Sequence, residues 1–188
     1  MKLSYVLSAL LLTGSITSMS AYSSDGVINF SGLLTDTTCD VAVTSTGAND
    51  VVLPTLPASL LNATDSHAGT TGFVISLSNC SGSATGASAY FEAGPTVEPT
   101  TGLLNNTDTG AGAATKVSLQ LLDGSNSNAP IKAGDPAQIA STTMVNIDTT
   151  DSNTTVTNLP YSVQYYSATG GATAGTVASQ VTYSIQYN

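Results

Sequence analysis

Two cysteines, one histidine and twelve carboxylates are the groups in this 188-residue chain whose types could support chemistry. Cys39 and Cys80 are the only thiols, so a single disulfide connectivity exists. Zinc would need further Cys or His ligands, and a thiol nucleophile would need a paired imidazole. His67 is the one imidazole, with Asp65 two residues before it in a Thr/Gly-rich stretch that reads as a solvated loop. The 25 serines have no second base from which to build a triad. Glu92 and Glu98 flank Pro95 and make a poor pair for glycoside hydrolysis. The runs Asp123-Gly-Ser-Asn-Ser-Asn and Asp148-Thr-Thr-Asp151 lack the spacing and closing Glu of a calcium loop, and read as turns. The expectation is a protein that is not an enzyme, with no catalytic residue, metal, cofactor or small-molecule substrate.

Composition narrows the class. Lys and Arg total 3 and only 8% of the chain is charged, too few cations to neutralise a row of phosphates, so a nucleic-acid partner is excluded. With 29 Thr, 17 Gly and no Trp, the chain favours many short strands over a helical bundle. A hydrophobic content of 41% suffices for a core and argues against disorder. Lys2, the apolar run Leu3 to Leu12 and small residues near Ser18, Ser20 and Ala21 read as a secretory signal peptide over residues 1–20, too short for a membrane span. Without Lys2, two bases remain against twelve acids, a net charge of −10. Export places Cys39 and Cys80 in an oxidising compartment. A bridge there closes about 42 residues and contributes ~4 kcal/mol in the chain-entropy model.

The elements that would carry these residues are strands. Period-two alternation runs through Gly26, Ile28 and Phe30; Cys39, Val41 and Val43; Phe73, Ile75 and Leu77; Val117, Leu119 and Leu121; Tyr161, Val163 and Tyr165; and Val181, Tyr183, Ile185 and Tyr187. Tyr90 and Phe91 mark a further short strand, and Asp123-Gly124 turns the chain. Gly/Ser/Thr/Asn/Pro clusters at 81–86, 110–114, 125–130 and 168–175 separate the runs, and residues 56–61 suit a single helical turn. No segment holds a 3.6-residue period for three turns, and no composition break marks a second domain. An all-β sandwich follows. Its two end segments both read as edge strands, yet neither carries a Lys or Arg to blunt it.

The run Gly26-Val27-Ile28-Asn29-Phe30-Ser31-Gly32, followed by Cys39-Asp40-Val41, resembles the N-terminus of type 1-like pilins, the shaft subunits of chaperone–usher fimbriae. Ile75-Ser76-Leu77-Ser78-Asn79-Cys80 is similar to the family's segment around the second cysteine, and Leu119-Gln120-Leu121-Leu122-Asp123 to its central strand and turn. Gly175, fourteenth from the C-terminus, and the penultimate Tyr187 match its chaperone-recognition pattern. Singly each motif is weak; together, in order, with a signal peptide and one Cys pair, they cover essentially the whole mature chain.

The resemblance implies an incomplete immunoglobulin-like β-sandwich, the six-stranded pilin fold, over residues 33–188, preceded by an N-terminal donor-strand extension at 21–32. Ser24, Gly26, Ile28, Phe30 and Gly32 would point into a neighbouring subunit's groove. Val181, Tyr183, Ile185 and Tyr187, with Gly175, would border this subunit's own groove and meet a periplasmic chaperone, which lends a strand until the next pilin replaces it at the outer-membrane usher. Ser24 and Tyr22 depart from the pattern, one polar and the other bulky. The implied function is a structural subunit of a surface fimbria, assembled head-to-tail by donor-strand exchange and supporting cell adhesion. The alternative is a minor adaptor or tip-associated carbohydrate-binding subunit. Tip adhesins of this class resemble two-domain chains, for which about 168 residues after the signal peptide leave no room. An unrelated secreted carbohydrate-binding sandwich would instead be a stable monomer.

Overall fold

A computed structural model describes residues 32, 34–44, 50–147 and 155–188. The signal peptide and the donor positions Ser24, Gly26, Ile28 and Phe30 lie outside the described residues. Nine strands occur among those described: β1 (Thr38–Thr44), β2 (Ser66–Ser81), β3 (Gly86–Phe91), β4 (Leu104–Asn105), β5 (Ser118–Asp123), β6 (Ala129–Ile131), β7 (Val145–Asn146), β8 (Val156–Ser167) and β9 (Tyr183–Tyr187). The expected six strands count the long alternating runs; β4, β6 and β7 are only two or three residues each. A 3-10 turn at Ala58–Leu61 and a four-residue helix, α1 (Gln138–Ser141), are the helical elements described. No helix among the described residues is long and apolar enough to cross a membrane.

The strands form an antiparallel sandwich. One sheet runs β1-β2-β8-β5-β4, with β6 also paired to β5; the other runs β7-β3-β9. Alternation decides which side chains meet between them. Ile75 and Leu77 of β2, Leu159, Tyr161 and Val163 of β8, and Leu119 and Leu121 of β5 face Ala87, Ala89 and Phe91 of β3. The Phe91 ring packs edge-on against Tyr161, with centroids 5.2 Å apart. Cys39 and Cys80 are bonded, with Cα atoms 4.1 Å apart, and tie the edge strand β1 to β2.

Several local features have visible causes. Pro160 sits in β8, where a missing N–H would normally break a central ladder. The β5–β8 ladder ends at Asp123↔Tyr161, so Pro160 lies just beyond it, and its carbonyl accepts from Gly124 N–H at 3.1 Å. The turn after β5 is held by the Asp123 carboxylate, only 2% exposed, which accepts from Ser125 N–H (2.9 Å) and Thr143 N–H (2.8 Å). β2 slips register between Ala68 and Thr71 around Gly69, at φ +72°, where a Cβ would fall 2.8 Å from Leu56 Cδ1. The bulge lies inside a continuous strand, which corrects the loop expected at His67: it is an exposed β2 residue opposite Tyr166.

Candidate strand-acceptor groove

β9 forms one rim of the three-stranded sheet. Its residues pair with β3 as Phe91↔Tyr183, Ala89↔Ile185 and Ala87↔Tyr187, and no described strand pairs its other side. Pairing in an antiparallel ladder uses alternate residues. Glu92 N–H donates to Thr182 O at 2.8 Å, so Thr182, Ser184 and Gln186 turn their backbone groups toward β3. By alternation, those of Tyr183, Ile185 and Tyr187 face the open rim.

Beside that rim a groove of about 430 Å³ opens into the space between the sheets. Val181 and Tyr183 form one wall, and Val43, Val51 and Leu53 the other. Residues 51–53 alternate as a strand would: Val51 and Leu53 pack on the core while Val52 is 66% exposed. The floor is core itself, including Ile75, Phe91 and Leu121, which are otherwise almost wholly buried. Val181, Tyr183, Ile185 and Tyr187 all pack against this core yet remain only half-buried. Burial pushes the Tyr183 and Tyr187 phenols above their ordinary range. The groove offers apolar pockets and a row of backbone hydrogen-bonding groups, which is what recognition of an extended peptide requires.

The opposite rim, along β3, is closed. β7 pairs with Gly86 and Ala87. Ala89 N–H donates to Tyr161 Oη at 2.8 Å, a reach across the sandwich that the small side chains of Ala87 and Ala89 permit. Phe91 N–H donates to Gln138 Oε1 at 3.0 Å, and Gln138 Nε2 donates back to Phe91 O at 2.9 Å. The Gln138 amide, 2% exposed, thus imitates one residue of a further strand.

The remaining positions singled out from sequence fall elsewhere. Gly32 is exposed, with nothing within 4 Å of a Cβ built on it. Gly175 lies before β9, where the chain passes the 112–114 backbone so closely that a Cβ would sit 2.4 Å from Ala114 N. It lines a second hollow of about 420 Å³ with Leu56, Leu61, Tyr165 and Val177. Asp108 accepts from Gly110 N–H and Thr176 Oγ, and the Thr176 hydrogen bond does most to hold its carboxyl below the usual range. Sequence reasoning missed the 51–53 wall, although Val51-Val52-Leu53 is an apolar run, and missed the closing roles of Tyr161 and Gln138.

Comparison with known proteins agrees with this fold. The family model described as "Fimbrial protein" matches residues 28–188. The major fimbrial subunit SMF-1 of Stenotrophomonas maltophilia is 41% identical over 172 residues, spanning 90% of this chain and 96% of that protein. The F17 fimbrial protein of Escherichia coli is 40% identical over 190 residues, spanning 99% and 98%. Among solved structures, a Burkholderia pseudomallei antigen and type I fimbria protein superposes with a TM-score of 0.51 at 22% identity, covering 82% of this chain and all of that one. The P pilus rod subunit PapA gives a TM-score of 0.50 at 15% identity over 87% and 99% of the two chains, a likeness of fold. Family match, close relatives and shared sandwich lead to one conclusion: this chain belongs to the fimbrial protein family.

Proposed function

We propose that this chain is a structural subunit of a surface fimbria that polymerises head-to-tail, residues 21–32 of one copy lying in the groove beside β9 of the next. The observation that carries this reading is the core-floored groove along a strand rim whose backbone groups point outward. Twelve extended residues reach about 40 Å, ample to follow the ~20 Å from Val181 to Tyr187. Ser24, Gly26, Ile28, Phe30 and Gly32 form the inserted face, and burying Ile28 and Phe30 contributes about 1.5–3 kcal/mol each. The contact is heterologous, so it propagates into a filament rather than closing on itself. Before assembly the same groove takes a strand from a periplasmic chaperone, with Val181, Tyr183, Ile185 and Tyr187 at the contact and Gly175 flanking it, and the outer-membrane usher exchanges one strand for the other.

Deletion of residues 21–31, co-expressed with the chaperone, tests the proposal. Folded subunits should accumulate on the chaperone, and electron microscopy should find no filaments. Filaments of normal length from the deleted chain refute it.

A further inference from the structure

Among the described residues, two buried side-chain polar atoms have no hydrogen-bond partner, Thr142 Oγ1 and Ser179 Oγ. Thr142 lies at the C-terminal end of α1 and takes no part in the groove. Ser179 lines it. It also shares the parity of Val181 and Tyr183, which line the groove, and of Ile185 and Tyr187, which pack on the core beyond it, so a hydroxyl ends a row that is otherwise Val, Tyr, Ile and Tyr. A hydroxyl shut away from water without a partner costs its full desolvation, and such groups are rare in folded proteins. The neighbouring residues do not relieve it: Thr96 Oγ donates past it to Gln180 O at 2.5 Å.

We infer that Ser179 is a binding residue for the inserted strand, its hydroxyl donating to a backbone carbonyl of the segment that enters the groove. The inference rests on the strand-addition reading above. A backbone acceptor is the natural partner because every strand that could lie along β9 carries one, whatever its side chains. The hydroxyl is then a latch that is unfavourable in the open subunit and favourable in the filled one. Replacing it should therefore move the two states in opposite directions.

The test uses the full chain purified as its complex with the chaperone, into which a fluorescent peptide of residues 21–32 is exchanged as probe. Ser179→Ala should speed peptide release roughly fivefold, the effect of losing one hydrogen bond, while the yield of folded subunit on the chaperone stays the same. Equal release rates from both chains overturn the inference and leave strand addition standing. A lower yield of folded Ser179→Ala subunit on the chaperone also overturns it, because the hydroxyl would then have a partner in its own subunit. A Ser24→Ala peptide that weakens binding to the unsubstituted chain but not to Ser179→Ala assigns the contact to a side chain and overturns the backbone assignment. Failure of the peptide to bind the unsubstituted chain at all fells the strand-addition reading itself.

Discussion

At one rim of the three-stranded sheet, β3 finds a partner for each outward-facing position: β7 at Ala87, Tyr161 Oη at the Ala89 N–H, and the Gln138 amide at Phe91. At the other rim, β9 finds none among the described residues, and the side chains beneath it stay half-buried over an apolar floor. An unprotected rim normally carries charge, proline or a bulge to prevent unwanted pairing. Residues 179–188 contain no charged side chain at all. The same sheet therefore terminates itself on one side with groups from distant parts of the chain and stays receptive on the other. Closure depends on side chains that imitate backbone; receptivity depends on leaving both backbone and core reachable.

Substitutions that act on one rim should leave the other unchanged, and the largest effect belongs to the open side. Phe30→Asp places a charge in the inserted segment and should abolish or severely shorten fibres while the subunit still folds on its chaperone, as seen by filament length and subunit yield. Intact fibres from this variant would remove Phe30 from the contact. Reducing Cys39–Cys80 comes next: about 4 kcal/mol of loop-closure stabilisation should disappear, lowering the denaturant midpoint of the subunit before assembly. An unchanged midpoint would show that the bridge adds nothing to the fold.

Gln138→Ala acts on the closed rim and leaves the buried Phe91 N–H unpaired, while the Phe91 carbonyl keeps the Gly134 N–H at 2.8 Å. It should cost roughly 1–3 kcal/mol in urea unfolding, with peptide affinity at the groove unaltered. A variant that weakens the peptide as much as the fold would show that the rims are coupled. The smallest effect is at Tyr161, whose Oη accepts one amide: Tyr161→Phe should cost about 1 kcal/mol near neutrality. Its pH signature is more distinctive. Burial, reinforced by the Asp123 charge and opposed by the Ala89 N–H, pushes the phenol up to about 12 from an ordinary 10.0. The stabilisation is thus fully present below about pH 10 and is lost as pH rises toward 12, where the unfolded phenol ionises first. The phenylalanine variant should lose less stability over that interval than the parent; parallel alkaline curves would contradict the assigned cause.

The long strands were legible because Phe73, Ile75 and Leu77, or Tyr183, Ile185 and Tyr187, alternate for long enough to establish a period. β4 and β7, two residues each, are too short for any period, and Gly86 and Ala129 begin strands from segments that read as turns. His67 was misplaced because the Gly69 bulge breaks alternation between Ala68 and Thr71, hiding the first part of β2. The groove was legible from one wall only. Val181 to Tyr187 announced themselves by pattern, whereas Val43, Val51 and Leu53 become a wall only once the sheets stack. The closure of β3 was invisible for a similar reason: Gln138 and Phe91 lie 47 residues apart, and nothing local in either segment announces the pairing.

Gln138 has a consequence for the shape of what is built. A building block with two receptive rims would accept two leading peptides, and its polymers would fork and cross-link into mats. On the strand-addition proposal, the Gln138 amide, together with β7 and Tyr161, seals the second rim and limits each block to a single incoming tail, giving a single unbranched thread.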